Sequence, residues 1–123
     1  MSVYAENEKE LGKAIKNNED SIEISVDLER KVLKIKSIGN VAWLVAFGAI
    51  TVAVVAILAA PATGGTSSFV SAAAAPAAVS ILGASTTIAT INIAVAAGGT
   101  KALNKLREYK IVKNNGKTIL IKK

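Results

Sequence analysis

The charged residues of this chain leave one long gap. No Asp, Glu, Lys or Arg occurs from residue 41 through residue 100, which is 60 of the 123 residues. A soluble domain of this size normally carries charge on the outer faces of its helices and strands. Because 51% of all residues are also hydrophobic, the gap predicts a membrane protein.

The gap divides the chain into three regions. Residues 1–40 hold 7 basic and 8 acidic groups, whereas residues 101–123 hold 8 basic and 1 acidic group. We predict a cytoplasmic N-terminal region over 1–40, a charge-free membrane hairpin over 41–100 and a basic cytoplasmic tail over 101–123. The predicted fold class is a mainly α membrane protein, in which a two-span transmembrane helical hairpin carries small cytoplasmic α+β elements.

The apolar region contains two predicted spans. Residues 41–60 form an uninterrupted apolar run whose length, at about 1.5 Å per residue, matches a hydrocarbon core of about 30 Å. Proline and glycines over 61–68 interrupt it, and Pro76 suits the first turn of a new helix. We therefore predict a second span over 77–98, with a short helix over 69–75 between the two.

The pattern of apolar residues in the N-terminal region predicts three elements. Residues 6–17 have the apolar spacing of a helix, and residues 21–26 alternate like a short strand. The segment over 28–35 fits either a helix with an Asp27 N-cap or a strand, and we favour an amphipathic helix leading into the membrane.

The C-terminal tail predicts a β-hairpin. Two alternating segments, 109–113 and 117–122, flank Asn114-Asn115-Gly116, and Asn-Gly is a strong hairpin signal. A lone hairpin is marginally stable in water. We expect it to pair with the strand over 22–26, which would join both ends of the chain in one sheet.

Small residues line one side of each predicted span, and such residues mark the place where transmembrane helices approach closely. In the first span this seam consists of Ala42, Ala46, Ala49, Ala53, Ala56 and Ala60. Its counterpart in the second span consists of Gly83, Thr87, Thr90 and Ala94. The opposite side of the first span is predicted to face lipid and holds Trp43, Phe47, Val54 and Leu58.

Two further polar residues of the second span, Ser85 and Asn92, lie on a separate line along this helix. If the first span packs on the small-residue side of the second span, it cannot also cover this line. An amide in hydrocarbon needs a hydrogen-bond partner, which a neighbouring protomer or water in a pore would supply. We therefore predict a homo-oligomer held by these residues. The alternative is that Ser and Thr hydroxyls bond to their own helix and need no partner.

Basic residues flank the gap on both sides. This places both termini in the cytoplasm by the positive-inside rule, and we expect a bacterial inner membrane. The predicted contacts to anionic headgroups are Trp43, Lys34, Lys36, Lys101, Lys105 and Arg107. We favour headgroups over nucleic acid, because the tail has one aromatic residue and no recognition-helix pattern.

In general plan, a short chain with two spans, small-residue faces and a basic tail resembles holin-type and glycine-zipper membrane proteins. The predicted function is a self-assembling membrane protein whose homo-oligomer permeabilises or remodels the bilayer. The alternatives are a membrane-anchored module that presents its termini to a cytoplasmic protein, or a structural subunit of a larger assembly. We expect no catalytic activity, cofactor or metal site, because the chain has no His or Cys and no cluster of carboxylates.

Overall fold

A computed structural model describes residues 3–59 and 76–122 of the chain. These residues form six helices and four strands. In chain order the elements are β1 (Val3–Ala5), α1 (Glu8–Lys16), β2 (Ser21–Ile24), α2 (Val26–Ser37), α3 (Asn40–Ala59), α4 (Pro76–Leu82), α5 (Ala84–Ala97), α6 (Lys101–Glu108), β3 (Lys110–Asn114) and β4 (Lys117–Ile121).

The four strands form one sheet in the order β1-β2-β4-β3. The predicted pairing of the N-terminal strand with the C-terminal hairpin is present: β2 lies antiparallel to β4, with Ile22 opposite Leu120. Both side chains are fully buried. β1, which the sequence did not predict, adds to the other edge of β2 in parallel.

The hairpin between β3 and β4 turns on Asn115 and Gly116. Their φ angles are 54° and 78°, and two consecutive positive values define the type I′ turn that Asn-Gly favours. Asn114 pairs with Lys117 across the turn. The predicted hairpin is therefore confirmed at the predicted residues.

Side chains cap the two N-terminal helices. Asn7 Oδ1 accepts a hydrogen bond from the Glu10 amide (2.9 Å), and Ser25 Oγ accepts one from the Leu28 amide (3.3 Å). The preference for a helix after β2 is confirmed. The predicted Asp27 N-cap is wrong, because the helix begins two residues earlier, at Val26, and Ser25 supplies the cap.

The segment predicted as the second span is not one continuous helix. Gly83 separates α4 from α5 with φ 86° and ψ 159°, a conformation that glycine adopts more readily than residues with a Cβ. α5 has 14 residues and is therefore about 21 Å long, which is short for a bilayer. The structure thus gives no support to a second span.

One helix among the described residues is long and apolar enough to cross a membrane, and it is α3 over Asn40–Leu58. This helix corresponds to the predicted first span. Ala60, the breaker segment over 61–68 and the helix predicted over 69–75 lie outside the described residues. Pro76 is the first residue of α4, as the sequence predicted.

α5 lies among polar helices. Its most extensive contacts are with α1, where a Cβ on Gly12 would lie 2.4 Å from the Ile93 carbonyl oxygen and 2.7 Å from the Ala96 Cβ. Only glycine permits this approach. α2 and α6 also contact α5. The α6 helix was not predicted, and it contributes Leu103 and Leu106 to the core.

Candidate functional site

The outward side of α3 is an uncharged apolar surface. We call it the outer face and define it by five aliphatic residues, of which Val41 is 80%, Val52 71% and Leu44 68% exposed. Their spacing of three, four and seven residues places them on one side of the helix. The outer face consists of Val41, Leu44, Val45, Val52 and Val55.

The inward side of α3 contains much of the predicted alanine seam. Ala46 and Ala53 are buried, Ala42 and Ala49 are half-buried, and Ala56 is exposed. This side of the molecule also holds α4 and α5, against which α3 packs. The seam therefore takes part in packing within the chain.

The residues predicted to face lipid opposite the seam are only partly exposed. Trp43 and Val54 are buried and Phe47 is half-buried, whereas Leu58 is exposed. The buried side thus includes both small and bulky residues. Residue size alone did not identify the outer face, because a helical wheel shows which residues share a side and not which side is covered.

The predicted counterpart of the seam is divided by the break between α4 and α5. Gly83 is exposed at that break, whereas Thr87, Thr90 and Ala94 are buried within α5. The Thr87 hydroxyl donates to the Gly83 carbonyl (2.8 Å) and the Thr90 hydroxyl to the Thr86 carbonyl (2.6 Å). Both hydroxyls are satisfied within the helix, which is the alternative weighed from the sequence.

Ser85 and Asn92 lie in two different grooves. Ser85 is exposed beside the basic residues of α2. Asn92 is half-buried beside the N-terminus of α1, where Asn7 and Glu8 line the same groove. The structure therefore places both residues next to polar helices, and it does not bring them together.

Three of the predicted headgroup contacts meet where α2, α3 and α6 converge. Trp43 Nε1 donates to Asn104 Oδ1 (3.1 Å), and the Arg107 guanidinium lies 4.6 Å from the Trp43 ring centroid. Arg107 also donates to the Ile35 carbonyl (2.7 Å), and Lys36 Nζ donates to the Arg107 carbonyl (2.6 Å). These contacts hold the end of α2 and the start of α3 against α6.

The other end of α3 borders a mixed groove of about 480 Å³. We call it the distal groove. Its apolar wall includes Val54, Val55 and Leu58, and its basic side chains are Lys16, Lys101 and Lys105. Lys105 also donates to Asn18 Oδ1 (3.0 Å). Basic groups therefore stand beside α3 at both of its ends, whereas the outer face carries none.

The described residues contain no group of three or more His, Cys, Asp or Glu side chains that could hold a metal ion. Burial raises the pKa of the Tyr109 phenol, and the charges of Asp20 and Glu19 raise it further. The Tyr109 hydroxyl donates to the Glu19 carbonyl (2.7 Å), so this group joins the two ends of the chain as a neutral donor.

A protein-family model described as "Uncharacterised protein PM1101" matches residues 5–123. The chain belongs to this family. The match covers both polar ends and the apolar region between them. No curated protein matches the chain significantly, and neither does any solved structure.

Proposed function

We propose that the chain is a non-enzymatic protein of the membrane surface, in which the outer face of α3 enters one leaflet while the α+β body stays at the headgroup level. The supporting observation is the exposure of five aliphatic side chains along an uncharged helix. The body would then present its sheet and polar helices to a cytoplasmic partner, as in the binding-module alternative.

Lipid is the occupant that best suits the outer face. The stretch over Asn40–Leu58 has a mean hydropathy of 2.6, yet only 28% of its most apolar window is buried. An apolar core helix of a soluble protein would be mostly buried. Removing an aliphatic side chain from water contributes about 1.5–3 kcal/mol, and a contiguous exposed patch of such residues marks an interaction surface.

The basic groups beside α3 favour a helix lying in the membrane plane. A perpendicular α3 in this conformation would carry α5, and with it the charged side chains of α1 and α2 that pack on α5, to the depth of the hydrocarbon. The cost is about 2.5–3.5 kcal/mol for each such charge near the bilayer centre. In the interface, the basic groups beside α3 reach anionic headgroups and contribute about 1 kcal/mol each.

Vesicle flotation tests the proposal with a matched pair of variants. Val52 in the outer face and Val26 in α2 are 71% and 67% exposed. Val52→Glu should weaken binding to anionic vesicles at least about tenfold, because it places a carboxylate in the apolar face. Val26→Glu makes the same chemical change elsewhere and should bind like the wild type. Equal binding by both variants would show that α3 is not the contact surface.

Depth measurements test the in-plane arrangement. The chain has no Cys, so a single Cys at position 45 or 55 can carry a fluorophore. These positions are about 15 Å apart along a helix axis. An in-plane helix should give equal quenching by brominated lipids at both positions, whereas a spanning helix would separate their depths by most of that distance.

Pore formation by a homo-oligomer stays a prediction. The Thr87 and Thr90 hydroxyls bond within α5, and Ser85 lies beside α2. We therefore expect vesicles that bind the protein to retain a small trapped dye. Rapid dye release at protein concentrations that give binding would favour the pore and count against a surface-bound α3.

A further inference from the structure

The distal groove, at the C-terminal end of α3, has an apolar side and a basic side. α3 forms the apolar side through Val54, Val55 and Leu58. Val55 also belongs to the outer face, so one apolar surface runs from the exposed side of α3 into the groove. A ligand with a hydrocarbon chain in the groove would therefore lie next to the surface that we propose to enter the membrane.

The junction of α5 and α6 leaves room in this groove. Ala97, Gly98 and Gly99 line it, and these residues have a methyl group or no side chain. Gly98 ends α5 with φ 82°, a left-handed conformation that favours glycine. The groove volume of about 480 Å³ lies within the range of about 300–1,000 Å³ for small-molecule sites. The space thus suits part of a lipid molecule.

The charged side chains that line the groove are all basic. They are Lys16 at the end of α1 and Lys101 and Lys105 on α6, and no acidic side chain of the described residues joins them. None of the three lysines forms an ion pair with a described residue. Contacts between α1 and α6 hold these charges together. An anionic group therefore complements this side of the groove.

We propose that the distal groove binds one anionic phospholipid of the bilayer. An acyl chain lies along the apolar side, and the lysine ammonium groups contact the phosphate. Lysine suits this arrangement, because its apolar stem can follow an apolar surface while the ammonium group reaches the headgroups. A phosphate ester without a hydrocarbon chain would complement the lysines only and leave the apolar side in water.

This proposal rests on the proposed function, since the membrane on which α3 lies supplies the lipid. The first experiment tests the groove without a bilayer. The ¹⁵N-labelled protein is titrated with dihexanoylphosphatidylglycerol below its micelle concentration, and we expect the Gly99 and Lys101 amide signals to shift. Dihexanoylphosphatidylcholine has the same chains but no net charge. It should bind at least about fivefold more weakly, because the lysines attract an anionic headgroup.

Two pairs of lysine variants test the basic side. Lys16→Gln combined with Lys101→Gln should weaken binding of the anionic lipid about tenfold or more, since two charged contacts are lost. Lys110→Gln combined with Lys117→Gln removes the same charge from exposed lysines of the β-hairpin. This control should bind the lipid like the wild type.

Two leucine variants test the apolar side. Leu58 in the groove and Leu33 in α2 are 46% and 43% exposed, so the same substitution can be compared at both positions. Leu58→Gln should weaken binding of both short-chain lipids at least about fivefold, because a polar amide replaces part of the apolar side. Leu33→Gln should leave binding unchanged.

The proposal is overturned if the Gly99 and Lys101 signals stay in place, if both short-chain lipids bind equally, or if each control weakens binding as much as its groove variant. Val52→Glu separates these results from a failure of the proposed function. Vesicle binding that depends on Val52, without a shift of the groove signals, would leave the outer face in place and refute the groove. Shifted groove signals with vesicle binding that is indifferent to Val52→Glu would support the groove and refute the outer face.

Discussion

α3 and α5 come from the same uncharged stretch of sequence, yet they have different surroundings. α5 is covered by α1, α2 and α6, and residues on several of its sides are buried, including Ile91, Ile93 and Ala94. α3 packs on α4 and α5 with one side and exposes the other. α5 thus lies at the centre of a small α+β body, whereas α3 forms an exposed apolar surface.

This difference teaches that the charge gap combines two kinds of segment. The polar helices that cover α5 come from both ends of the chain, so burial of α5 depends on residues far away in sequence. Within residues 3–59 and 76–122, no such cover lies on the outer face of α3. Neither helix carries a charge, yet the more polar α5, with its Ser, Thr and Asn residues, is the covered one, and the more apolar α3 is the open one.

The largest expected effect is a difference in the free energy of unfolding between a variant in α5 and a variant in α3. Ile93→Ala in α5 should lower the free energy of unfolding by about 3 kcal/mol, because Ile93 is fully buried and the change leaves a cavity. Val52→Ala in the outer face should change it by less than about 0.5 kcal/mol. Urea unfolding in the absence of lipid, followed by circular dichroism, measures both. Similar losses would mean that the outer face is covered.

A smaller effect tests the contact between α1 and α5. Gly12→Ala should cost about 2 kcal/mol, because the added methyl group would meet the Ile93 carbonyl oxygen and the helices would have to separate. Gly48 in α3 has nothing within 4 Å of its Cβ position. Gly48→Ala should therefore stabilise the protein by about 0.5–1 kcal/mol through helix propensity. Thermal unfolding measures the stability of both variants. A Gly12→Ala variant as stable as the wild type would refute the close approach of α1 and α5.

The smallest effect concerns the ion pair that joins α2 to the β-hairpin. Lys113 Nζ lies 2.5 Å from Glu29 Oε2, and hydrogen bonds from Lys113 and Thr118 lower the pKa of the Glu29 carboxyl. A lowered folded-state pKa stabilises the fold above the ordinary glutamate pKa, and the gain is lost as the pH falls through the lowered value. Glu29→Gln should therefore be less stable than the wild type at pH 7, with the difference vanishing in acid.

Urea unfolding at pH 7 and at pH 3 measures this dependence. Lys113→Gln removes the partner of Glu29 and should abolish most of this pH dependence of stability, while the Glu29 carboxyl stays in place. A stability difference between Glu29→Gln and the wild type that is equal at both pH values would contradict the role of this pair in anchoring α2.

Local signals predicted the elements whose geometry is set by neighbouring residues. The Asn115-Gly116 turn follows from two positive φ angles that these residue types tolerate. The helix after β2 follows from its apolar spacing, although the cap is Ser25 and not the predicted Asp27. The pairing of β2 with β4 was also predicted, because an isolated hairpin needs a further strand.

The elements that were missed depend on distant contacts. β1 has three residues, too few to show alternation, and it forms by pairing with β2. α6 has its apolar residues at helical spacing within the basic tail, a signal that the charge count obscured. Lys34 and Ser85 line one groove but lie 51 positions apart in the sequence, so no motif connects them.

By itself, the sequence determined that a long uncharged region lies between two polar ends, and that these ends form helices and a hairpin. It also determined that α3 is apolar along its whole length. Only the tertiary structure decided which apolar helix is covered, because burial is a property of the surrounding elements and not of the helix. The same packing decided that Trp43 and Arg107 contact each other and that Ser85 lies beside Lys34.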